Sequence, residues 1–248
     1  MIRTDRVGLP PGELLGRRLG LRSPHIAEGL SHWLRDSHSH AAGAELCAPE
    51  SAFATPQLVV RGWVGEVCQL SDGRRQYVAL RLPGDILGLG PAPQPFATIA
   101  LTDTETVDAG GLVERLRDRA PALEPLRAAW SRAREAEQRQ LADHVVRLGR
   151  LTAIERTAHL LLELHERLLE VGLAGPQSFH LPLTQEVLGD VLGLSIVHVN
   201  RTLQELRRQG LASRRAGMMT LPDRERLATL AGCVVRRPYP EPRTLAAS

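Results

Sequence analysis

Lysine is absent from this chain. All 31 basic residues are arginine, set against 28 acids, for a formal net charge of +3. A GC-rich coding sequence accounts for that choice by itself, although arginine is also the better bidentate partner for phosphate and guanine. Cysteine is scarce: Cys47, Cys68 and Cys233 are odd in number and far apart. That excludes a disulfide framework and fits a reducing compartment. Scattered thiols of this number also fall short of the thiolate set that an iron–sulfur cluster takes. No apolar run approaches the roughly 18 residues of a membrane span, so no membrane partner is expected. The first residues, MIRTDRVGLPPGELLGRRLG, lack the apolar centre of a secretory signal, and a cytoplasmic location is expected. Catalytic motifs are missing too, with no nucleophile elbow, P-loop or metalloprotease histidine pair. Gly84–Gly90 is glycine-rich but has neither GxGxxG spacing nor a following helix. No enzyme is expected.

What the chain does contain is concentrated between Leu183 and Leu211, LTQEVLGDVLGLSIVHVNRTLQELRRQGL. The pattern predicts two short helices joined by a tight turn around Gly193. Thr184 and Ser195 are placed to cap them, each hydroxyl accepting from an orphan amide of the first turn. Val187, Leu188 and Val191 give the first helix an apolar stripe, and Val199, Leu203 and Leu206 give the second one. The opposite face of the second helix carries Val197, Arg201, Gln204 and Arg208, with His198 and Asn200 on its shoulders. Such a helix suits a DNA major groove. The same pattern would also serve an ordinary helical hairpin with a solvated basic face.

The flanking sequence favours the groove. Leu211–Ser213 and Met218–Leu221 read as short strands around an Arg214–Gly217 turn, and Asp223 is placed to cap a last small helix. That is a winged arrangement, with Arg214 and Arg215 expected at the wing tip where phosphates would pass. Thr184, Gln185 and Ser195, at helix N-termini, are further phosphate candidates. From Leu206 to Arg243 nine arginines face three acids, a local charge of +6.

The remainder divides by composition. Residues 1–45 form a polar arm expected to be partly ordered, in which Leu30, Trp33 and Leu34 could make an amphipathic turn or two. Residues 46–119 read as a β-roll. Within it, VVRGWVGEVCQL and RRQYVALRL flank a Ser71-Asp72-Gly73 turn, LGPAPQP makes a rigid loop at 89–95, and Gly110–Arg119 makes a short helix. Residues 120–149 read as one long helix. On it Leu126, Trp130, Ala133, Glu137, Leu141, His144 (or Val145) and Leu148 recur at spacings of four and three, about three heptads of an a/d seam. That stripe could pair with a second copy or pack on its own roll. Leu151–Val171 is a further helix. Residues 150–223 would hold the winged module, and 224–248 a last helix and tail. His32, His38 and His40, with Cys47 beyond, admit a metal or haem reading, against which stands an ordinary solvated arm. Cys68 reads as a small buried hydrophobe, and His144 and His159 as packing or capping groups.

LPLTQEVLGDVLGLSIVHVNRTLQELRRQGL (181–211) resembles the DNA-binding module of the Crp/Fnr transcription regulators. DGRRQYVALRLPGDILGL (72–89) and FATIALTDTETV (96–107) resemble strands of that family's sensor roll, and the likeness spans about residues 58–232. The resemblance implies an α+β two-domain fold. An antiparallel β-roll of the cyclic-nucleotide-binding, jelly-roll type comes first, then a long dimerisation helix, then a C-terminal winged helix-turn-helix. It implies a transcriptional regulator acting as a homodimer on an inverted repeat in double-stranded DNA, with RNA polymerase as a further partner.

The family's recognition helix commonly begins Ser-Arg-Glu-Thr-Val, where this chain has Ser195-Ile196-Val197-His198-Val199-Asn200-Arg201. Arg201 matches the family's arginine and is expected to read guanine. Val197 replaces the glutamate and would favour a thymine methyl instead, so the site should differ from the family's familiar one. His198 joins the base-reading group, and Asn200 would read adenine or bond phosphate. Thr184, Gln185, Ser195, Arg208, Arg214 and Arg215 would hold phosphates. In the nucleotide-binding rolls of the family a glutamate follows glycine and an Arg-Ser pair holds the cyclic phosphate. Here Leu89 follows Gly88, and Gln94-Pro95 stands at the pair's position. Cyclic AMP is therefore not expected to bind in the usual mode, no cofactor is predicted, and the effector stays open. Two alternatives stay open beside this reading: a dimeric haem- or metal-dependent sensor, and an interaction protein whose winged module does not bind DNA.

Overall fold

The computed structural model describes residues 9–90 and 92–232. Cys233, Arg236, Arg237, Glu241 and Arg243, with the rest of the tail, lie outside the described residues, as does Pro91 of the proline-rich loop.

The chain opens with helices α1 (Pro11–Arg18) and α2 (Pro24–Ser31), each with a proline in its first turn, where no amide needs a partner. The roll follows: β1 (Arg35–His40), β2 (Glu45–Cys47), β3 (Gln57–Arg61), β4 (Val64–Gln69), β5 (Arg75–Arg81), β6 (Ile86–Leu87), β7 (Ala97–Ala100) and β8 (Thr104–Asp108). They form two four-stranded antiparallel sheets, ordered β1-β8-β3-β6 and β2-β7-β4-β5.

The polar arm thus ends earlier than the sequence suggests. Residues 35–40 are an edge strand of the roll, paired with β8 from Arg35↔Asp108 to His40↔Thr104. RDSHSH shows no apolar alternation because an edge strand open on both sides has no apolar neighbour to meet. Ahead of it, Leu15 of α1, Leu19 just past its end and Leu30 of α2 are buried in one cluster with Leu58, Ile86, Leu112, Leu126 and Ala129, so the helical part of the arm is sealed to the roll.

After the roll come α3 (Gly110–Arg117), a single 3-10 turn (Pro121–Leu123), and α4 (Glu124–Arg150), 27 residues long. Helix α5 (Ala153–Glu170) is opened by a capping box in which Thr152 and Glu155 satisfy each other's backbone amides. The winged module then adds β9 (Ala174–Gly175), β10 (Ser178–His180), α6 (Gln185–Leu192), α7 (Ile196–Arg208), β11 (Ser213–Arg215), β12 (Met218–Thr220) and α8 (Arg224–Leu230). Its sheet runs β11-β12-β10-β9. Among the described residues, no helix is long and apolar enough to cross a membrane.

Helix α5 is the centre of the molecule. Leu160, Leu161, Leu164 and Leu168 are buried in one continuous cluster with Trp63, Tyr77 and Leu82 of the roll and with Leu188, Val199, Leu206 and Leu227 of the module. At roughly 25 cal/mol per Å² of apolar surface removed from water, burial along α5 is what fuses the two domains.

The long helix divides the predicted stripe between its own roll and solvent. Leu126 is buried in its own chain's core, with Trp130 and Ala133 packed on the same cluster. Glu137 is paired with Arg81 of β5 and with Arg134. His144 is buried and its Nε2 lies 3.1 Å from the carbonyl of Tyr77. Leu148 is half-buried, near the turn at Gly193. Leu141 of the stripe is open, as is Val145, the alternative to His144. At 100° per residue, positions 126, 133, 137 and 144 fall on one side of the helix, and the roll takes that side. The strip left open holds Gln138, Ala142, Val145 and Gly149, flanked by Leu141 and Val146.

Candidate nucleic-acid interface

Helices α6 and α7 form the expected pair. The Thr184 hydroxyl accepts from the amide of Val187 at 3.2 Å, and the Ser195 hydroxyl accepts from the amide of His198 at 3.3 Å. Gly193 ends α6 at φ 63°, a left-handed position that glycine fills without strain. A Cβ on Gly189 would lie 2.6 Å from the carbonyl oxygen of Leu194, so the tight turn also needs a bare backbone there.

Helix α7 buries Val199, Thr202 and Leu206 and half-buries Leu203. Thr202 is the departure from the predicted stripe. Its hydroxyl lies 3.2 Å from that of Thr157 on α5, a buried polar pair that apolar periodicity cannot reveal. The outward face carries Ile196, Val197, His198, Arg201, Gln204, Arg207 and Arg208, all exposed, with Asn200 half-buried beside them. His198 Nδ1 is 3.1 Å from Ser195 Oγ, so the ring is held against the helix cap. Arg208 is bridged to Glu205 at 2.6 Å, and Gln185 is half-buried at the start of α6.

The wing gives Arg214 partners within the protein. Ala216 and Gly217 both have positive φ, 48° and 80°, as a two-residue hairpin turn requires. The turn is therefore shorter than predicted, and Arg214 and Arg215 lie within β11. Neighbouring strand residues face opposite ways. Arg214, itself exposed, donates to the carbonyls of Leu181 and Leu183 at 2.9 and 2.8 Å; it braces the wing to the start of the helix pair. Arg215 is exposed. Asp223 caps α8 by accepting from the amide of Arg226 at 2.9 Å.

Buried ion pairs, none of them visible in the sequence patterns, set the module against the roll. Asp85, in the Pro83-Gly84 turn, meets Arg167 of α5 at 2.5 Å and Arg18 of α1 at 3.0 Å, and accepts from the amide of Leu82 at 2.8 Å. Burial alone would raise its pKa, but the guanidiniums of Arg167, Arg18 and Arg81 outweigh that and hold the carboxyl at about 2. Glu163 joins Arg147 and Arg167. Its burial is likewise outweighed by those guanidiniums, and its pKa lies below the usual range. His144 is pushed down, first by burial and then by Arg147. Outside this core, Arg75 of β5 reaches Glu186 and Asp190 of α6 at 2.8 and 3.0 Å, and Gln76 donates to the carbonyl of Val191 at 3.2 Å.

A cavity of about 410 Å³ lies between the roll and α4, lined by residues that include Gln94, Pro95, Phe96, Leu141 and His144. Arg81, Arg134, Arg147 and Arg167 also line it, and each is already bound to a carboxylate. Among the described residues no group of histidine, cysteine and carboxylate side chains could hold a metal ion. His32 Nδ1 bonds the carbonyl of Glu28 at 2.9 Å and His40 Nε2 the Thr106 hydroxyl at 3.1 Å.

The comparisons agree with this architecture. Residues 155–230 match the Crp-like helix-turn-helix domain. The nitrogen fixation regulation protein FixK of Bradyrhizobium diazoefficiens is 35% identical over 168 residues, 65% of this chain and 68% of its own length. The transcriptional activator protein FnrL of Cereibacter sphaeroides is 33% identical over 159 residues, 62% of each chain. The solved structure of FixK2 from Bradyrhizobium japonicum superimposes with a TM-score of 0.67 at 33% identity, covering 79% of this chain and 96% of that one. A sensor roll, a long helix and a capped helix pair with a wing, in a sequence this close to known regulators, place the chain in the Crp/Fnr family of transcriptional regulators, with a helix-turn-helix DNA-binding domain at its C-terminal end.

Proposed function

We propose that the protein acts as a homodimer on an inverted-repeat site, laying α7 of each copy in successive major grooves. One observation carries this reading: a 13-residue helix, capped by Ser195 and braced by α5, turns Val197, Arg201, Gln204 and Arg208 together toward solvent. Arg201, with no side-chain bond to the rest of the described protein, is the guanine reader, and Asn200 and His198 flank it. Ser195, Thr184, Gln185, Arg208 and Arg215 meet the backbone, while Arg214 supports the wing.

A single recognition helix contacts only a few base pairs, and each good bidentate contact discriminates by about 1–3 kcal/mol, so two copies are needed for a useful site. The second copy pairs along the open strip of α4, where Leu141 and Val145 are 54% and 64% exposed. This strip keeps Leu141 and Val145 of the stripe read from the sequence. A cytoplasmic location and contacts with RNA polymerase belong to the same reading.

The roll is not expected to hold a cyclic nucleotide phosphate, since the cavity's arginines are all engaged by carboxylates; isothermal calorimetry with cyclic AMP should register no heat of binding at micromolar concentrations. The function is tested by selection from a random duplex pool, followed by gel shifts at a series of salt concentrations. A selected sequence bound far more tightly than bulk DNA, with affinity falling steeply as salt rises, is expected. Equal affinity for all duplexes overturns the proposal.

A further inference from the structure

The first residues of α7, Ile196 and Val197, are branched, apolar and open, at 48% and 66% exposed. The apolar residues Val199 and Leu206 on the same helix are buried, so this pair breaks the rule its own helix otherwise keeps. Its surroundings are cationic. Val197 lies one helical turn before Arg201, and Arg207, Arg208 and the wing's Arg215 are exposed on the same module. The positive end of the helix dipole lies at the pair itself. An apolar protein surface would leave the guanidiniums of Arg201, Arg207 and Arg215 without partners. A duplex edge satisfies both demands, because the thymine C5-methyl projects into the major groove beside the phosphates.

The pair is also held in place. Ser195 Oγ accepts from the amide of His198 at 3.3 Å and bonds its Nδ1 at 3.1 Å. This closes the first turn around Ile196 and Val197. Residues at a recognition helix's N-terminus are the ones that reach base edges.

We infer that Ile196 and Val197 together form an apolar reader that packs on thymine methyl groups at neighbouring steps of each half-site, beside the base contacted by Arg201. Specificity there comes from burying methyl groups, with no hydrogen bond to those bases. The inference rests on the DNA-binding reading above and names what that site selects.

The test changes the DNA alone. In the selected duplex each thymine is replaced in turn by deoxyuridine, which removes the methyl and keeps every pairing and groove hydrogen-bonding group. Affinity is read by fluorescence anisotropy at fixed salt. Loss of about fourfold is expected at neighbouring positions in each half-site, the equivalent of one buried methyl group at about 0.8 kcal/mol. In Ile196→Ala and in Val197→Ala the uracil penalty should vanish at one of those positions, while the preference at the Arg201 position persists. Both side chains are open, so alanine leaves the fold intact. Uracil tolerated at every position, or a penalty undiminished in both variants, overturns the inference. A wild-type protein that prefers no selected duplex over bulk DNA gives a different signature: it overturns the DNA reading and this inference with it.

Discussion

Replacing Asp85 by Asn removes one charge at the knot joining roll, α1 and α5, and its cost can be worked from the geometry. The amide is nearly isosteric and still accepts from Leu82, so what is lost is the attraction to Arg167 at 2.5 Å and Arg18 at 3.0 Å. Leaving a buried partner uncompensated costs about 3–5 kcal/mol. Here Arg167 retains Glu163 and Arg18 retains Glu170, which points to the lower end, about 3 kcal/mol. An independent route gives a similar size. A carboxyl held at about 2 against 3.8 in the open chain corresponds to roughly 2 kcal/mol. For a chain of this length, 3 kcal/mol lowers the melting temperature by about 6–12 °C.

The sign with pH follows from the depressed pKa. The contribution is complete above the open-chain value of 3.8 and disappears as pH falls through the folded value of about 2. Urea titrations of wild type and Asp85→Asn, followed by far-UV circular dichroism at fixed protomer concentration, should differ by about 3 kcal/mol from pH 7 to about pH 5. The gap should then narrow between about pH 4 and pH 2. A variant within about 1 kcal/mol of wild type at pH 7, or a gap indifferent to pH, would refute the account of the knot.

Further outcomes are expected from five other variants. Arg201→Ala should lose about 1–3 kcal/mol of affinity for the selected duplex and relax one base position in each half-site, read by repeating the selection; a uniform loss on all sequences would make Arg201 a phosphate contact. Arg215→Ala should reduce the slope of log affinity against log salt by about 1, whereas Arg214→Ala, which frees the carbonyls of Leu181 and Leu183, should lower thermal stability and leave the slope unchanged. Val145→Asp should weaken self-association at least about tenfold in sedimentation equilibrium, an aspartate in a dry seam being left without a partner. Leu126→Ala should instead cost about 2–5 kcal/mol of stability and leave association intact.

The helix pair was legible because its signals are local: a hydroxyl at each N-cap, glycine at the left-handed C-cap, and apolar residues at helical spacing. The strands around Ser71–Gly73 and at 97–108 were legible for the same reason, through alternation and turn residues. What was hidden depends on contacts between distant segments. Strand β1 carries no apolar signature because it is an open edge. The stripe on α4 could not say which partner fills it, since the roll and a second copy demand the same spacing. Arg214 and Arg215 are indistinguishable in sequence; the positive φ of Ala216 and Gly217 fixes the strand register in which Arg214 reaches the carbonyls of Leu181 and Leu183. The Asp85, Glu163 and Arg167 knot joins residues far apart in the chain, and Thr157 with Thr202 replaces an apolar contact by a hydrogen bond.

Hydroxyl-radical footprinting of the protein on its selected duplex tests the central claim most directly. The account predicts protection in patches related by a two-fold axis on one face of the DNA, with their centres about one helical turn, roughly 34–36 Å, apart. A single unrepeated patch, or uniform protection along the duplex, would contradict it.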